Sequence, residues 1–261
     1  MPLHVEVRGS GPPLVLLHGF TQTGRLWGRF GELLAASYTL VAVDLPGHGD
    51  SASVRADLPA TAGLVAETVR AQVGEEPCAL LGYSLGARVA LHMGIAASLP
   101  LSQIVFIGVT AGIEDAAERA RRRASDESRA DALEASGDVE GFIAAWLRGP
   151  MFERLESGGA GERPERLRNT AAGLASSLRL CGTGTQEPLW DRLPALSCPV
   201  LALAGSDDIR FASHALRMAG LVPHGVASLV PGGGHAVHLA QPEQTDRIVR
   251  HWLDAVGPSP A

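Results

Sequence analysis

"LLGYSLGARVA", residues 80–90, places Ser84 two residues from a glycine on each side, at Gly82 and Gly86. The apolar run before the serine, PCALLGYS, predicts a buried strand, and the segment after it, LGARVALHMGIAAS, has helical periodicity. A G-x-S-x-G motif between a strand and a helix is typical of a nucleophile on a sharp turn, where small neighbours relieve crowding of the backbone. The stretch therefore predicts a reactive serine within an α/β fold.

Short apolar strands alternate with helices on both sides of this motif. Strand patterns occur in LHVEVRGSGPPLVLLHG, YTLVAVDLPGHG, SQIVFIGV, CPVLALAGSDD and VASLVPGGGH, and helical patterns cover 61–73 and about 241–256, before the tail GPSPA. Strand–helix units of this kind predict a mostly parallel central sheet with helices on both faces. A chain of 261 residues is long enough to form one large domain of this class.

Residues 112–190 break the alternation, because they contain helical patterns and the Gly-rich break ESGGAGERP but no strand pattern. A helical insertion in a parallel sheet is most simply a cap over the carboxyl ends of the strands, where such folds bind their ligands. We therefore expect an inserted helical cap at 112–190 and a core that is made of 1–111 and 191–261.

Partners for Ser84 follow later strands in the order Ser, Asp, His, which is the order of the α/β-hydrolase fold. LALAGSDD supplies Asp207 and Asp208, and VPGGGHAVH supplies His235. Hydrolases of this type have Gly-x-x-Asp after the strand, so Asp208 is the expected acid and Asp207 is a turn residue. His235 and His238 have an i, i+3 spacing, but no carboxylate or cysteine completes a metal site with them, so no metal is expected.

Two backbone N–H groups are expected to form an oxyanion hole, which stabilises negative charge on a substrate oxygen. One belongs to Phe20, in the HGF segment after the first buried strand, and the other to Leu85, which follows the serine. Three further polar residues of these loops are interpreted as loop braces rather than as catalytic groups: His18, His48 and Asp44.

Arg88 lies four residues after Ser84 on the predicted helix, so both side chains point to the same side, at the rim of the site. All 22 basic residues are arginines, so the presence of any single arginine is weak evidence of a functional role. The alternative interpretation is that Arg88 is a solvent-exposed helix residue. The predicted cap adds the arginines of AAERARRRASDESRA, but 112–190 hold 11 Arg against 14 Asp and Glu. Only arginines that point inward would therefore favour an acidic substrate.

Composition argues against several classes of partner. A net charge of −6 disfavours nucleic acid, because phosphate binding needs a basic face. No apolar run approaches the roughly 18 residues of a membrane span, and MPLHVEVRGSG lacks the basic-then-apolar form of a signal peptide, so we expect a cytoplasmic protein without a membrane partner. Three cysteines show neither metal-ligand nor disulfide spacing and are interpreted as buried, inert thiols: Cys78, Cys181 and Cys198.

Several segments together resemble the 2-succinyl-6-hydroxy-2,4-cyclohexadiene-1-carboxylate synthases of menaquinone biosynthesis, in the α/β-hydrolase superfamily. They cover most of the chain and are LLHGF, VDLPGHGDS, GYSLGARVAL, ERARRRASD, FIAAWLRGPMF, RLRNTAAGLASSLRLCGTGTQEPLWDRL, GSDDIRF and GHAVHLAQPE. The arginine after GYSLGA, the Arg-rich segment and GTGTQEPLW are the most particular of these. Leu85 and Ala87 replace the family's Met and Gly, and Arg210 replaces its Lys, which leaves open a relative with a different acidic substrate.

The resemblance implies a lyase that eliminates pyruvate from 2-succinyl-5-enolpyruvyl-6-hydroxy-3-cyclohexene-1-carboxylate, a small polycarboxylate. It implies that Ser84 acts as a base, with His235 and Asp208 completing a catalytic triad, and that no metal or organic cofactor takes part. In register, Arg122 matches the motif rather than the arginines on either side of it. The substrate-binding residues that the resemblance implies are Arg88, Arg122, Arg168, Tyr83 and Trp146. A monomer or a small homo-oligomer is expected.

Other functions of the same fold stay open. A serine carboxylesterase or a carbon–carbon bond hydrolase would use the same three residues with a water step. Haloalkane dehalogenases are excluded, because they need Asp at the position of Ser84. A member of the fold that serves only as a binding module usually lacks one residue of the triad, and this chain has all three.

Overall fold

The computed structural model describes residues 3–155 and 162–256, and its centre is a seven-stranded sheet. The strands are β1 (Val5–Arg8), β2 (Pro13–Leu17), β3 (Thr39–Val43), β4 (Cys78–Tyr83), β5 (Leu101–Ile107), β6 (Val200–Gly205) and β7 (Gly225–Val230). Their order across the sheet is β1-β3-β2-β4-β5-β6-β7, and every neighbouring pair is parallel except β1 with β3. The predicted mostly parallel sheet is confirmed.

The central strands are buried on both faces of the sheet. Every residue of β4 and β6 is buried, as their continuous runs of Leu, Ala and Val predict for strands that helices cover on both sides. Tyr83 pairs with Ile107 at the carboxyl ends of β4 and β5, and Gly205 pairs with Val230 at those of β6 and β7. The loops that follow these strands therefore meet at one edge of the sheet.

Ten helices are present in the described part of the chain. They are α1 (Gly28–Ala35), α2 (Leu58–Val73), α3 (Leu85–Ala96), α4 (Ala116–Ser136), α5 (Val139–Leu147), α6 (Arg163–Arg166), α7 (Ala171–Cys181), α8 (Ile209–Leu221), α9 (Val237–Ala240) and α10 (Pro242–Val256). Helices α2, α3 and α8 share one hydrophobic cluster with the sheet, and α1 and α10 share a second cluster on its other face. The prediction of helices on both faces is confirmed.

Two helices differ from the sequence patterns. Helix α2 begins at Leu58 rather than at residue 61, because the Asp57 side chain caps it by accepting a hydrogen bond from the Ala60 N–H. The patterns do not predict α1, whose sequence GRFGELLA contains two glycines that disfavour a helix. Burial of Phe30 and Leu34 stabilises α1 instead. The final helix ends at Val256, and the tail GPSPA lies outside the described residues.

Helices α4, α5, α6 and α7 lie between β5 and β6, and the described residues of 112–190 form no strand. Helix α4 packs against α7. The break ESGGAGERP falls mostly on 156–161, which lie outside the described residues. An inserted helical cap is therefore present, and its boundaries at 112 and 190 stay a prediction.

Two further expectations concern apolar helices and thiols. None of the helices within 3–155 and 162–256 combines the length and the apolar character that crossing a membrane requires. Cys78 and Cys181 are buried, Cys198 is partly buried, and all three are free. Burial raises the pKa of the Cys78 and Cys181 thiols to about 11, so both stay protonated and unreactive near neutral pH.

Candidate active site

Ser84 lies on the tight turn between β4 and α3. Its φ of 51° is in the left-handed region, which is uncommon for a residue with a side chain. The flanking glycines make this turn feasible, since a Cβ on Gly82 would lie 2.5 Å from the Gly86 carbonyl oxygen and a Cβ on Gly86 would collide with the Leu17 carbonyl. The two glycines of the motif are thus required by close backbone approach, as the sequence indicates.

His235 connects Ser84 to Asp208 at the carboxyl edge of the sheet. Its Nε2 lies 3.0 Å from Ser84 Oγ, and its Nδ1 lies 2.9 Å from Asp208 Oδ2. With the proton on Nδ1, the ring donates to the carboxylate, and Nε2 accepts from the serine hydroxyl. His235 is only 2 % exposed, whereas Ser84 and Asp208 are partly buried. These three side chains, here called the triad, have the geometry of a serine–histidine–acid relay.

Asp207 pairs with groups other than His235. Its Oδ2 lies 2.6 Å from Arg154 Nη2, and its Oδ1 accepts a hydrogen bond from the Ser206 hydroxyl. Asp208 is therefore the aspartate that the structure brings to the histidine. His238 packs against the rings of Trp27 and Tyr83, and burial lowers its pKa to about 3.

The two predicted oxyanion donors flank the cavity above Ser84. Gly86 N–H donates to the His18 carbonyl at 3.0 Å, which brings the loop after β2 next to the start of α3. Phe20 and Leu85 both line the cavity. Within the described residues, neither of their backbone N–H groups has a protein acceptor. Both N–H groups are thus available to a negatively charged substrate oxygen.

His18, His48 and Asp44 brace the loops at this edge. His18 Nδ1–H donates to the Gly19 carbonyl, while Nε2 accepts from the Leu45 N–H at 3.0 Å. Burial lowers the pKa of His18 to about 4 and that of His48 to about 3, so neither ring is charged near neutral pH. Asp44 accepts hydrogen bonds from two loop N–H groups, at 2.6 and 2.8 Å. These contacts fit the bracing role expected from the sequence.

A cavity of about 570 Å³, part of it open to solvent, lies over the triad serine and histidine. Its walls combine side chains of the core with side chains of the inserted helices. Trp146 of α5 is one of its walls and packs edge-on against Phe20 at 5.0 Å between ring centroids. The cavity therefore lies between the core and the inserted helices, directly over Ser84.

Arg88 reaches into this cavity from α3, one turn after Ser84. It is 8 % exposed, and its guanidinium donates to the Cys181 carbonyl at 2.7 Å and to Gln186 Oε1 at 3.4 Å. Among the residues that the structure describes, Arg88 forms no ion pair within 4 Å, and the nearby Asp126 pairs with Arg122 instead. Burial lowers the pKa of Arg88 to about 10, so the side chain is still charged near neutral pH.

Arg122 of α4 also lines the cavity, whereas Arg121 and Arg123 are exposed. Its Nε donates to both oxygens of the buried Asp126, at 2.9 and 3.0 Å. This contact orients the guanidinium and leaves its two Nη groups without an acceptor in the described part of the chain. Of these three neighbouring arginines, the one that lines the cavity is therefore Arg122, which the resemblance implies.

Arg168 is not among the residues that line the cavity, and its expected role in substrate binding stays a prediction. Its Nη2 donates to Asp50 Oδ2 at 2.6 Å, and its Nε lies 3.6 Å from Glu165 Oε2. Two carboxylates therefore neutralise Arg168 beside the loop after β3, away from the cavity walls. A substrate carboxylate would have to compete with both of them.

Tyr83 is likewise absent from the cavity walls. As the last residue of β4, it points to the sheet face that packs against α1 and α10, opposite α3. Its ring lies behind the triad, against Gly19 and with its centroid 5.4 Å from that of His235. The structure therefore gives Tyr83 a supporting position rather than the expected place in the pocket wall.

Ser177 of α7 is a cavity residue that the sequence does not single out. Its hydroxyl is buried and has no hydrogen-bond partner in the described residues. The neighbouring Ser176 is only partly buried and does not line the cavity. The two serines differ only in the side of α7 on which they lie. The sequence alone therefore does not indicate that Ser177, rather than Ser176, lines the cavity.

Comparisons with known proteins match the chain over nearly its whole length. A family model described as "Alpha/beta hydrolase family" matches residues 14–248. The 2-succinyl-6-hydroxy-2,4-cyclohexadiene-1-carboxylate synthase of Serratia proteamaculans (strain 568) is 31% identical over 93% of this chain and 93% of its own length. The pimeloyl-[acyl-carrier protein] methyl ester esterase of Stenotrophomonas maltophilia (strain K279a) is 31% identical over 98% of both chains. MenH from S. aureus has a structure that matches with a TM-score of 0.90 and 29% identity, over 98% of this chain and 99% of that chain.

Proposed function

This chain belongs to the alpha/beta hydrolase family, and we propose that it is a carbon–oxygen lyase of menaquinone biosynthesis. In this proposal it eliminates pyruvate from 2-succinyl-5-enolpyruvyl-6-hydroxy-3-cyclohexene-1-carboxylate and forms 2-succinyl-6-hydroxy-2,4-cyclohexadiene-1-carboxylate. The resemblance to synthases of this name is confirmed by the matches over almost the full length. The proposal includes a cytoplasmic location and a small polycarboxylate as the partner, without nucleic acid or membrane.

One observation carries the proposal: the buried guanidinium of Arg88 faces the cavity of Ser84 and forms no direct ion pair with a described carboxylate, since Asp126 attracts it only from a distance and pairs with Arg122. A buried charge without a counter-charge is costly, so a site that keeps one is suited to an anionic ligand. A substrate carboxylate would supply the missing counter-charge and accept two parallel hydrogen bonds from the planar guanidinium. A neutral ester offers neither interaction.

Two further groups fit the same polyanionic substrate. Arg122 lines the cavity, and because Asp126 binds its Nε, its Nη groups have no described acceptor. The unpartnered Ser177 hydroxyl in the cavity wall is suited to an acceptor oxygen of the substrate. Charged contacts on two sides of the cavity would fix the orientation of a substrate ring relative to Ser84.

The triad then acts through proton transfer. His235 takes the hydroxyl proton of Ser84, while Asp208 stabilises the resulting imidazolium. The serine oxygen removes a proton from the substrate ring, which restores its hydroxyl, and the N–H groups of Phe20 and Leu85 stabilise the enolate-like charge. The electron pair then breaks the carbon–oxygen bond and releases the enolate of pyruvate, which takes the proton from His235 to form the enol. The serine forms no bond to carbon at any step.

A serine carboxylesterase is the second candidate function. The esterase of Stenotrophomonas maltophilia is as similar in sequence as the synthase of Serratia proteamaculans, at 31% identity. The same triad would then attack an ester carbonyl and form an acyl-enzyme on Ser84, which water hydrolyses. The two candidates therefore differ in whether the serine becomes covalently modified.

Pyruvate release and the mass of the intact protein together test the proposal. Purified protein should release pyruvate from the cyclohexene substrate, and samples quenched during turnover should show only the unmodified mass. A substrate-derived adduct on Ser84 would contradict elimination, and Ser84→Ala protein would serve as the control for non-specific labelling. Absence of pyruvate, together with burst hydrolysis of esters, would assign the chain to the esterases instead.

A further inference from the structure

The loop that carries the Phe20 N–H contains a tight turn, residues 19–22, here called the oxyanion turn. Gln22 N–H donates to the Gly19 carbonyl at 3.1 Å and closes this turn. Thr21 occupies its third position with a φ of 67°, a region that favours glycine at this point of a turn. A β-branched residue is strained there, so the surrounding contacts must hold the oxyanion turn in this conformation.

Two buried side chains from the inserted helical region provide these contacts. Arg166, at the end of α6, donates from Nη1 to the Thr21 hydroxyl oxygen at 2.7 Å. Asn169 donates from Nδ2 to the Thr21 carbonyl at 2.9 Å. Arg166 is 1 % exposed, and Asn169 is 5 % exposed. Both donors therefore bond the one strained residue of the oxyanion turn, away from competing water.

Arg166 and Asn169 are themselves fixed by other hydrogen bonds. Glu162 accepts from Arg166 Nη2 at 3.0 Å. The Asn169 amide also donates to the Arg166 carbonyl at 2.9 Å, and its oxygen accepts from the Gly49 N–H at 3.1 Å. The two residues thus form one connected unit between the inserted helical region and the loops at the carboxyl edge of the sheet.

We infer that Arg166 and Asn169 are positioning residues, which act through Thr21 to keep the Phe20 N–H available as an oxyanion donor. The Phe20 N–H has no acceptor in the described part of the chain, so its direction depends on the oxyanion turn. The inference rests on the proposed function only in that the kcat measurement uses the proposed substrate. Any reaction at Ser84 that develops a negative oxygen requires the same donor.

Matched threonine variants test this inference. Thr21→Val keeps the β-branched shape and removes the acceptor of Arg166, whereas Thr21→Ser keeps the hydroxyl. Loss of one oxyanion donor typically lowers kcat by about 10²–10³-fold, so a misplaced donor should lower it by roughly 10- to 100-fold, with KM almost unchanged. Thr21→Ser should retain most of the wild-type kcat. Asn169→Asp, which removes the donor to the Thr21 carbonyl, should resemble Thr21→Val.

Two readouts separate this inference from the proposed function. One is kcat for pyruvate release, and the other is the rate at which an alkyl fluorophosphonate labels Ser84. In the labelling reaction the serine oxygen displaces fluoride from phosphorus, and the phosphoryl oxygen occupies the oxyanion hole. Both rates should fall together in Thr21→Val and Asn169→Asp. If the wild-type protein releases no pyruvate, the proposed function fails, but the labelling rates of the variants still test this inference.

Thr23→Val is the control, because Thr23 lies in the same loop but its hydroxyl makes no hydrogen bond to Thr21. That hydroxyl contacts Glu165 at 3.4 Å and accepts from the Arg25 N–H at 3.3 Å. Thr23→Val should leave both rates close to wild type. Thermal unfolding of each variant shows whether the fold persists, and rates are compared per folded molecule. Equal losses in Thr23→Val and Thr21→Val, or wild-type labelling in folded Thr21→Val, would overturn the inference.

Discussion

Substitution of Arg88 is the most direct test of how the site recognises its substrate. Arg88→Met keeps an unbranched side chain in the buried position but removes the charge and all five N–H donors. Arg88→Lys keeps a charge and loses the planar pair of donors. Two of the arginine's contacts are already made within the protein, to the Cys181 carbonyl and to Gln186, so the remaining donors are those that a ligand can use.

The expected loss follows from the energy of a hydrogen bond between charged groups. Such a bond contributes about 1.5–3 kcal/mol, and about 1.4 kcal/mol corresponds to a factor of 10. Arg88→Met should therefore lower kcat/KM for pyruvate release by roughly 10- to 150-fold, towards the upper end because the site is buried. Arg88→Lys should recover only part of this loss.

The assay compares pyruvate release with hydrolysis of a small neutral ester by the same variants. Ester turnover depends on the triad but offers no carboxylate, so it should change little and also report that the site is folded. Arg121→Ala and Arg123→Ala are matched controls, since both arginines are exposed on α4. Equal and small losses at all three positions, or normal pyruvate release by Arg88→Met, would refute carboxylate recognition by Arg88.

Three more predictions follow from the site and its surroundings. Asp208→Asn should lower kcat by several orders of magnitude, because it removes the carboxylate that orients the histidine, whereas Asp207→Asn should keep most of it; the reverse order would exchange their roles. Ser177→Ala should lower kcat/KM for pyruvate release by roughly 10-fold, and Ser176→Ala should not, which steady-state kinetics will decide. Burial lowers the pKa of His238 from 6.5 to about 3, so between these values the unfolded chain binds more protons and stability falls as pH falls. In His238→Phe the unfolding free energy should therefore fall less steeply from pH 6 to pH 4, by up to about 1.4 kcal/mol per pH unit relative to wild type. Urea titrations that give the wild-type slope would contradict this.

The order of the triad was predictable because each of its residues lies in the turn or loop that directly follows a strand. In a parallel sheet the carboxyl ends of the strands meet at one edge, so Ser84, Asp208 and His235 converge although 151 residues separate the first from the last. Arg88 was predictable for a similar reason, since a spacing of four on a helix fixes which side it shares with the serine.

The positions of the Arg168 and Tyr83 side chains were not predictable in the same way. Asp50, which neutralises Arg168, lies 118 residues earlier in the chain, and no local pattern records that contact. Tyr83 points to the opposite face of the sheet from α3 because side chains alternate along a strand, and this depends on knowing which helices cover which face. Helix α1 forms despite its glycines because burial outweighs its low propensity.

The triad and the oxyanion donors alone do not decide between elimination and hydrolysis. Both reactions need an activated serine and a stabilised negative oxygen, and they differ in which substrate atom the serine oxygen meets. That atom is set by the orientation of the bound substrate, and the groups that orient a polyanion here are the cations of the cavity. Arg88 comes from the core helix that follows the serine, and Arg122 comes from the inserted helix α4, so they approach the ligand from different sides. Under the proposed function, carboxylates of the substrate ring would contact both arginines, and two such contacts would fix the ring relative to Ser84. Under the proposed function, the arginines of the cavity rather than the triad would therefore decide between elimination and hydrolysis.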